Sequence, residues 1–323
     1  MKNRKTVLAT VLALVLAFTS ALSFSSCGES KKVYTVGICQ LVQHDALDAA
    51  TQGFKDALTE KLGEGNVKFD EQNASGDSVN CGTIVNGFVA KGVDLIMANA
   101  TPALTAAVSA TADIPILGTS ITAYGVALDI DDFSGTVGGN ISGTSDLADL
   151  QKQAQMILDW FPETKTVGLL FCSAEPNSRY QIEEVAKNLS AKGIETKEFA
   201  FTDTNDVTAV TQAAADYADV IYIPTDNTAA ANTEAIANVL IPAKVPAICG
   251  EEGICAGCGV ATLSISYYDL GVTTGKMAAK ILTGETDISK MPIEYTSATK
   301  KYNASMCDAL GIKPLDGYTA IGE

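Results

Sequence analysis

Short runs rich in β-branched and apolar residues alternate with longer stretches of helical spacing along most of this 323-residue chain. Tyr34 to Cys39 predicts a strand and Ala46 to Lys61 a helix; Val67 to Phe69 predicts a strand and Ser78 to Lys91 a helix. Asp94 to Ala98 predicts a strand, Pro102 to Thr111 a helix and Ile114 to Leu117 a strand. Parallel neighbours need a crossover helix, so this alternation predicts βαβ units in a parallel sheet. The pattern then starts again. Leu147 to Trp160, Ser178 to Lys192, Asp206 to Ala215 and Thr228 to Leu240 predict helices, separated by strands at Thr166 to Phe171, Glu195 to Phe199 and Val220 to Ile223.

Individual residues repeat as well. Thr35-Val36-Gly37-Ile38 is answered by Thr166-Val167-Gly168-Leu169, Asp94-Leu95-Ile96 by Asp219-Val220-Ile221, and Ile114-Pro115-Ile116 by Val245-Pro246-Ala247. The order is the same and each match falls roughly 130 positions later, as two lobes built alike would give. The fold class is therefore α/β, two doubly wound parallel-sheet lobes joined by a multi-strand hinge. The N-terminal lobe is expected over 33–130 plus 265–291 and the C-terminal lobe over 147–260 plus 295–323. Hinge crossings are expected at 131–146, 261–264 and 292–294; the first contains Gly135, Gly138, Gly139 and Gly143 and has no helical periodicity. In doubly wound sheets ligands bind beyond the carboxyl ends of the strands, so two facing lobes would line one cleft.

Ahead of this body, Lys2, Arg4 and Lys5 precede an uncharged apolar run from Val7 to Phe24, the layout of a secretory signal. It ends at Ser25-Ser26-Cys27-Gly28, which resembles the lipobox of bacterial lipoproteins. That resemblance implies a lipoprotein signal peptide at 1–26, lipidation of Cys27 and a lipidated tether at 27–32. The body would then sit on the extracytoplasmic face of a cell membrane, and an uncleaved anchor helix would tether it equally.

Composition narrows the partners. With 22 Lys and Arg against 38 Asp and Glu, the formal charge of −16 is wrong for a surface that tracks phosphates, so nucleic acid is not expected. Seven cysteines follow Cys27, an odd number that cannot pair off within the chain. Cys39, Cys172 and Cys249 close apolar runs and read as small buried hydrophobes. Cys255-Ala256-Gly257-Cys258 has CxxC spacing, but that is half a zinc site with no second pair or His beside it. It reads as two small residues in a glycine-rich loop, or as a redox pair. No metal and no cofactor is expected.

The residues just past the strands are polar. Gln40, Gln43 and His44 follow the first; Asn99, Thr101 and Pro102 the third; Thr119, Ser120 and Thr122 the fourth. The second half offers Glu175, Asn177 and Ser178, then Thr225, Asp226 and Asn227, then Glu251 and Glu252. Thr101-Pro102 and Asn177-Ser178 open helices, where hydroxyls and backbone N–H groups suit a carboxylate or cap the helix. Asp226 offers charge to an ammonium, or caps the helix that follows. Donors on one side and a carboxylate on the other match an α-amino acid zwitterion. In that reading Thr101, Ser120 and Ser178 hold the ligand carboxylate and Asp226 its ammonium. The ligand side chain meets His44, the single histidine, and aromatics such as Tyr124. The candidate ligand-binding set is Gln40, His44, Thr101, Pro102, Ser120, Glu175, Asn177, Ser178, Asp226, Asn227 and Glu251.

Motifs at these same places carry a wider resemblance. Val36-Gly37-Ile38-Cys39-Gln40, His44-Asp45-Ala46-Leu47-Asp48, Ala100-Thr101-Pro102-Ala103, Gly138-Gly139-Asn140-Ile141-Ser142-Gly143 and Ser145-Asp146 come first. Glu175-Pro176-Asn177-Ser178, Asp226-Asn227-Thr228, Glu251-Glu252-Gly253 and Tyr267-Tyr268-Asp269-Leu270-Gly271 follow. In this order they resemble the substrate-binding lipoproteins of ABC importers with the type I periplasmic-binding fold, in the branch that includes binders of tryptophan and other aromatic amino acids. The resemblance covers about residues 33 to 315. It implies capture of a small amino acid-like ligand, an aromatic one favoured, and delivery to an ABC permease driven by its ATPase. A ligand-sensing module for a signalling receptor would use the same clamshell. An enzyme on this frame is disfavoured: P-loop, GxSxG and HExxH are absent, and Ser297-Ala298-Thr299-Lys300 matches SxxK without its companion motifs.

Overall fold

The computed structural model describes residues 32–322. The expectations for the signal peptide and Cys27 lie outside the described residues. From the start of the body the chain runs β1 (Tyr34–Gln40), α1 (Asp45–Leu62), β2 (Val67–Asn73), α2 (Ser78–Lys91), β3 (Leu95–Asn99), α3 (Thr101–Ala110), β4 (Ile116–Ile121), α4 (Tyr124–Ala127) and β5 (Ile141–Ser145). There it passes to a second set: α5 (Leu150–Trp160), β6 (Thr166–Cys172), α6 (Pro176–Ser190), β7 (Glu195–Phe201), α7 (Val207–Ala215), β8 (Val220–Ile223), α8 (Asn227–Ala230), α9 (Thr233–Ala243), β9 (Ala247–Cys249), α10 (Glu252–Cys258) and β10 (Ala261–Ser264). The last part adds α11 (Tyr267–Leu282), β11 (Glu294–Tyr295), β12 (Thr299–Tyr302), α12 (Ala304–Leu310) and β13 (Thr319–Ala320).

The strands form two sheets, of order β11-β5-β4-β3-β1-β2 and β13-β12-β10-β9-β8-β6-β7. All pairings in the first are parallel; in the second only β10 and β12 run antiparallel. Each sheet is covered on both faces, which is why its central strands read as continuous apolar runs. Val36, Ile38, Leu95 and Met97 pack in one layer of the first lobe, while Cys39, Ile96 and Ala98 pack in the other. Helix α11 returns to the first lobe and lies against α1 at backbone distance. A Cβ at Gly53 would stand 2.1 Å from Tyr268 O, and one at Gly271 2.0 Å from Ala50 O, so both positions need a residue without a side chain.

Several elements differ from the sequence pattern. Strand β2 continues through polar Asp70 to Asn73, because this edge strand stays in register with β1 from Tyr34↔Val67 to Gln40↔Asn73. The single helix expected over Thr228 to Leu240 is two, separated at Ala231-Asn232. Residues 252–258, expected as a glycine-rich loop, form α10, capped by the Glu251 carboxylate on the Gly253 and Ile254 N–H groups. Residues 141–145, expected within the first crossing, form a strand of the first sheet, and Glu294–Tyr295 pairs with β5; Val260 to Ser264, read from the sequence as strand-like and leading into the second crossing, contains β10. The seven described cysteines are free and buried. Among the described residues no helix is long and apolar enough to cross a membrane.

Candidate functional site

On the first lobe, three neighbouring strands end side by side. Past β3, Ala100 takes φ 92° and ψ 157°, a region held almost only by glycine and costly to a residue with a Cβ. Thr101 and Pro102 then open α3, whose N-terminus no side chain caps. Ser120, near the end of β4, has φ 55°, and its Oγ is buried without a partner. The two strained residues are close in the sheet, since Ala100 N–H donates to Thr119 O at 3.1 Å. Past β5, Asp146 N–H donates to Ile121 O at 3.2 Å. Its Oδ2 accepts the Tyr267 hydroxyl at 2.9 Å, while Oδ1 is buried and unpartnered. Burial pushes the Asp146 carboxyl up to about 6, against the pull of the Tyr267 and Thr122 hydroxyls. Gln40 turns inward instead: its amide donates to Val42 O (2.9 Å) and Asp48 Oδ1 (2.6 Å), and its Oε1 accepts from Thr51 Oγ1 (2.7 Å).

On the second lobe the strand ends are knit by carboxylates. Glu175 Oε2 accepts from Asn227 N–H (3.0 Å) and Asn227 Nδ2 (2.7 Å), and Oε1 from Thr228 N–H (2.9 Å) and Thr228 Oγ1 (2.8 Å). Asn177 Nδ2 reaches Glu175 Oε2, Ser178 Oγ and Thr225 O at 3.3, 3.3 and 3.1 Å; its Oδ1 is buried without a partner. Asp226 caps α8 through Ala229 N–H (2.8 Å) and also accepts Cys172 N–H (2.6 Å). Burial first, and then the Glu175 charge, push its carboxyl well above the ordinary range. The ammonium role expected of Asp226 therefore competes with two backbone hydrogen bonds. Glu251 spends both oxygens on the Gly253 and Ile254 N–H groups, and burial pushes it up to about 7, helped by the charges of Asp146 and Glu252.

The two walls meet at His44 Nε2 and Asn227 Oδ1, 3.3 Å apart. Burial holds the His44 imidazole below its ordinary pKa, so at neutral pH it is uncharged. Gaps follow the seam on either side. One of 420 Å³ is lined by Gln43, His44 and Asp45 from the first lobe and Ala230, Thr233 and Gly253 from the second. Another, of 280 Å³, runs between Val42, Asp77 and Pro102 and Glu175, Thr204 and Asn227.

Nine of the eleven expected residues thus fall into two groups, and Gln40 and Glu251 stand outside both. Glu175, Asn177, Ser178, Asp226, Asn227 and His44 share one network across the seam, and Thr101, Pro102 and Ser120 stand on the first-lobe wall. Glu251 lies at the end of β9. Tyr124 sits in the first-lobe core, its hydroxyl donating to Gly118 O (3.0 Å) and Thr144 O (3.2 Å). Two residues outside the candidate set join the first-lobe wall: Asp146 and Tyr267. Their signal was present, since both lie in the motifs quoted above, but the strand that Asp146 follows was hidden in a glycine-rich stretch.

Two doubly wound lobes whose polar strand ends face each other define a clamshell of the type I periplasmic-binding class. The chain belongs to the ABC transporter substrate binding protein family, whose model matches residues 35–314. It is 32% identical to the tyrosine-binding protein of Clostridioides difficile strain R20291 over 277 residues, 84% of this chain and 79% of that protein. Among solved structures, an ABC domain from Streptococcus pneumonia in complex with L-Trp is 30% identical with a TM-score of 0.85, matching 90% of this chain and all of that one (100%). The ligand-free, open form of a Clostridium difficile substrate binding protein with adhesive properties is 33% identical, matching 90% of this chain and 99% of that one, with a TM-score of 0.68. At similar identity, the fold of this chain superposes more fully on the tryptophan complex than on the open form.

Proposed function

We propose that this protein is the extracytoplasmic receptor of an ABC importer, held at the membrane through lipidated Cys27, that captures an aromatic amino acid between its lobes and delivers it to a permease driven by a separate ATPase. The observation that carries the reading is a set of orphaned polar groups. Ser120 Oγ, Asp146 Oδ1 and Asn177 Oδ1, drawn from the strand ends of both lobes, are buried and have no partner among the described residues. Buried polar atoms are nearly always paired, so a polar solute seated between the lobes would satisfy them together. The uncapped N-terminus of α3 beside Ser120 suits the carboxylate of such a solute. No ion pair among the described residues holds Asp146, Asp226 or Glu251, which suits a ligand that brings its own cation. The aromatic preference rests on the relatives, one named for tyrosine and one holding L-Trp.

A thermal-shift panel on the full-length protein in detergent, covering the amino acids, their des-amino forms, sugars and polyols, tests the solute class. Aromatic amino acids are expected to raise the melting temperature most, and a response confined to sugars or polyols would refute the reading. Fatty-acid labelling that persists in Cys27→Ala would refute the anchor.

A further inference from the structure

Four carboxylates are buried at the strand ends, and they differ in what occupies their oxygens. Glu175 has both oxygens on the N–H groups and side chains of Asn227 and Thr228. Asp226 has both on backbone N–H groups, of Cys172 and Ala229. Glu251 has both on the opening turn of α10. Asp146, 5% exposed, keeps one oxygen unused. We infer that Asp146, rather than Asp226, binds the α-ammonium of the ligand, and that Tyr267 is the positioning residue that holds it for that task. The inference rests on the amino-acid reading above and adds which group recognises the charge.

The surroundings fit a zwitterion. Asp146 follows β5 directly, and β5 pairs with β4 through Ile121↔Ser145, so Asp146 and Ser120 mark the ends of adjacent strands. Ser120 lies one residue before the Ile121↔Ser145 pair and Asp146 one residue after it, so the two are offset by about 7 Å along the strands as well as by the roughly 4.8 Å between them; an α-carbon seated between them can turn its carboxylate to Ser120 and the α3 N-terminus, and its ammonium to Asp146. The groups facing Asp146 are the hydroxyls of Tyr267 and Thr122 and, further off, the Glu251 carboxylate and the Tyr124 ring; no cation is among them. A carboxylate in that setting gains from an ammonium with which it can form a charge-assisted hydrogen bond.

Tyr267 supplies the geometry. Its hydroxyl donates to Oδ2, which fixes the carboxylate plane and leaves Oδ1 for the ligand. Tyr267 is also the first residue of α11, entered directly from β10 of the second sheet. The bond therefore joins the passage after β5 to the passage after β10, and the ammonium seat lies where the chain crosses between lobes.

The test is calorimetry on full-length protein in detergent with L-tyrosine and its des-amino form, 3-(4-hydroxyphenyl)propionate, and with the corresponding tryptophan and phenylalanine pairs. Asp146→Asn keeps the shape and is expected to weaken the amino acid at least 30-fold while changing the des-amino form less than 3-fold. Binding of the des-amino form at the same time shows that the variant is folded. Tyr267→Phe is expected to weaken the amino acid by about 3- to 10-fold, again selectively. Asp226→Asn is expected to affect both ligands of a pair alike. Equal losses for both ligands in Asp146→Asn, or a selective loss in Asp226→Asn, would overturn the assignment to Asp146 while wild-type binding stands. Absence of amino-acid binding by the wild type would overturn the amino-acid reading, and the assignment with it.

Discussion

His44 and Asn227, 183 positions apart, meet at 3.3 Å across the seam between the two lobes. The Asn227 amide is oriented by its other end: Nδ2 donates to Glu175 Oε2 at 2.7 Å, so Oδ1 must face His44 and accept the proton of Nε2. The resulting chain, imidazole to amide to carboxylate, exists only while the lobes are together. A net hydrogen bond contributes about 0.5–1.5 kcal/mol. His44→Ala is therefore predicted to weaken ligand binding roughly 2- to 10-fold, through faster release. Stopped-flow dissociation rates check this, and an unchanged rate would show that the seam contact does not hold the closed state.

Ser120 combines a left-handed backbone with an orphaned hydroxyl, and the two have opposite consequences for stability and binding. A residue with a Cβ at φ 55° costs about 1 kcal/mol relative to glycine, and the unpaired Oγ adds to that cost. Ser120→Gly is predicted to raise the melting temperature of the ligand-free protein while lowering ligand affinity. Scanning calorimetry and titration of the same variant check the pair. A variant that is both less stable and equally tight would contradict a role for this hydroxyl in binding.

The two lobes were legible in the sequence because doubly covered parallel strands must be apolar throughout, and β1, β3, β6 and β8 announce themselves that way. Strand β5 does not, since Ile141 is its only large apolar residue. It is buried through hydrogen bonds instead: Ser142 Oγ to Met291 O (3.1 Å), Thr144 Oγ1 to Thr274 Oγ1 (2.8 Å) and Thr119 Oγ1 to Thr144 Oγ1 (3.2 Å). These partners lie far away in the chain, so no local pattern reveals the strand or marks Asp146 as a strand-end residue. The role of Asp226 was undecided for the same reason. Its capping of Ala229 is local, but the Cys172 N–H that takes its second oxygen is 54 positions away. Helix α10 was hidden by its glycines and cysteines, and a glutamate cap with buried thiols makes it a helix.

The buried carboxyls predict a pH dependence. Asp146 is raised from 3.8 to about 6 and Glu251 from 4.5 to about 7, in each case chiefly by burial. Burial and the Glu175 charge push Asp226 the same way. A raised carboxyl keeps in the folded protein a proton that the unfolded chain releases near its ordinary pKa. Its contribution to stability is complete below about pH 4 and is lost as pH climbs through the folded value. Asp70, held low by Lys91, acts only below that range, while His44, held by burial below its ordinary value of 6.5, opposes the three carboxyls up to about that pH and is outnumbered by them. The melting temperature of the ligand-free protein is thus predicted to fall between about pH 5 and pH 8, followed by scanning calorimetry in matched ionic strength. An increase over that interval would contradict the burial of these groups in ionisable form.

Calorimetric titration of the full-length wild-type protein with L-tyrosine, L-tryptophan and L-phenylalanine tests the central claim most directly. Saturable 1:1 binding of at least one of them, weakened when the α-ammonium is removed, is the predicted result. Absence of binding by all three, or affinity for the des-amino forms equal to that for the amino acids, would contradict capture of a zwitterion between the lobes.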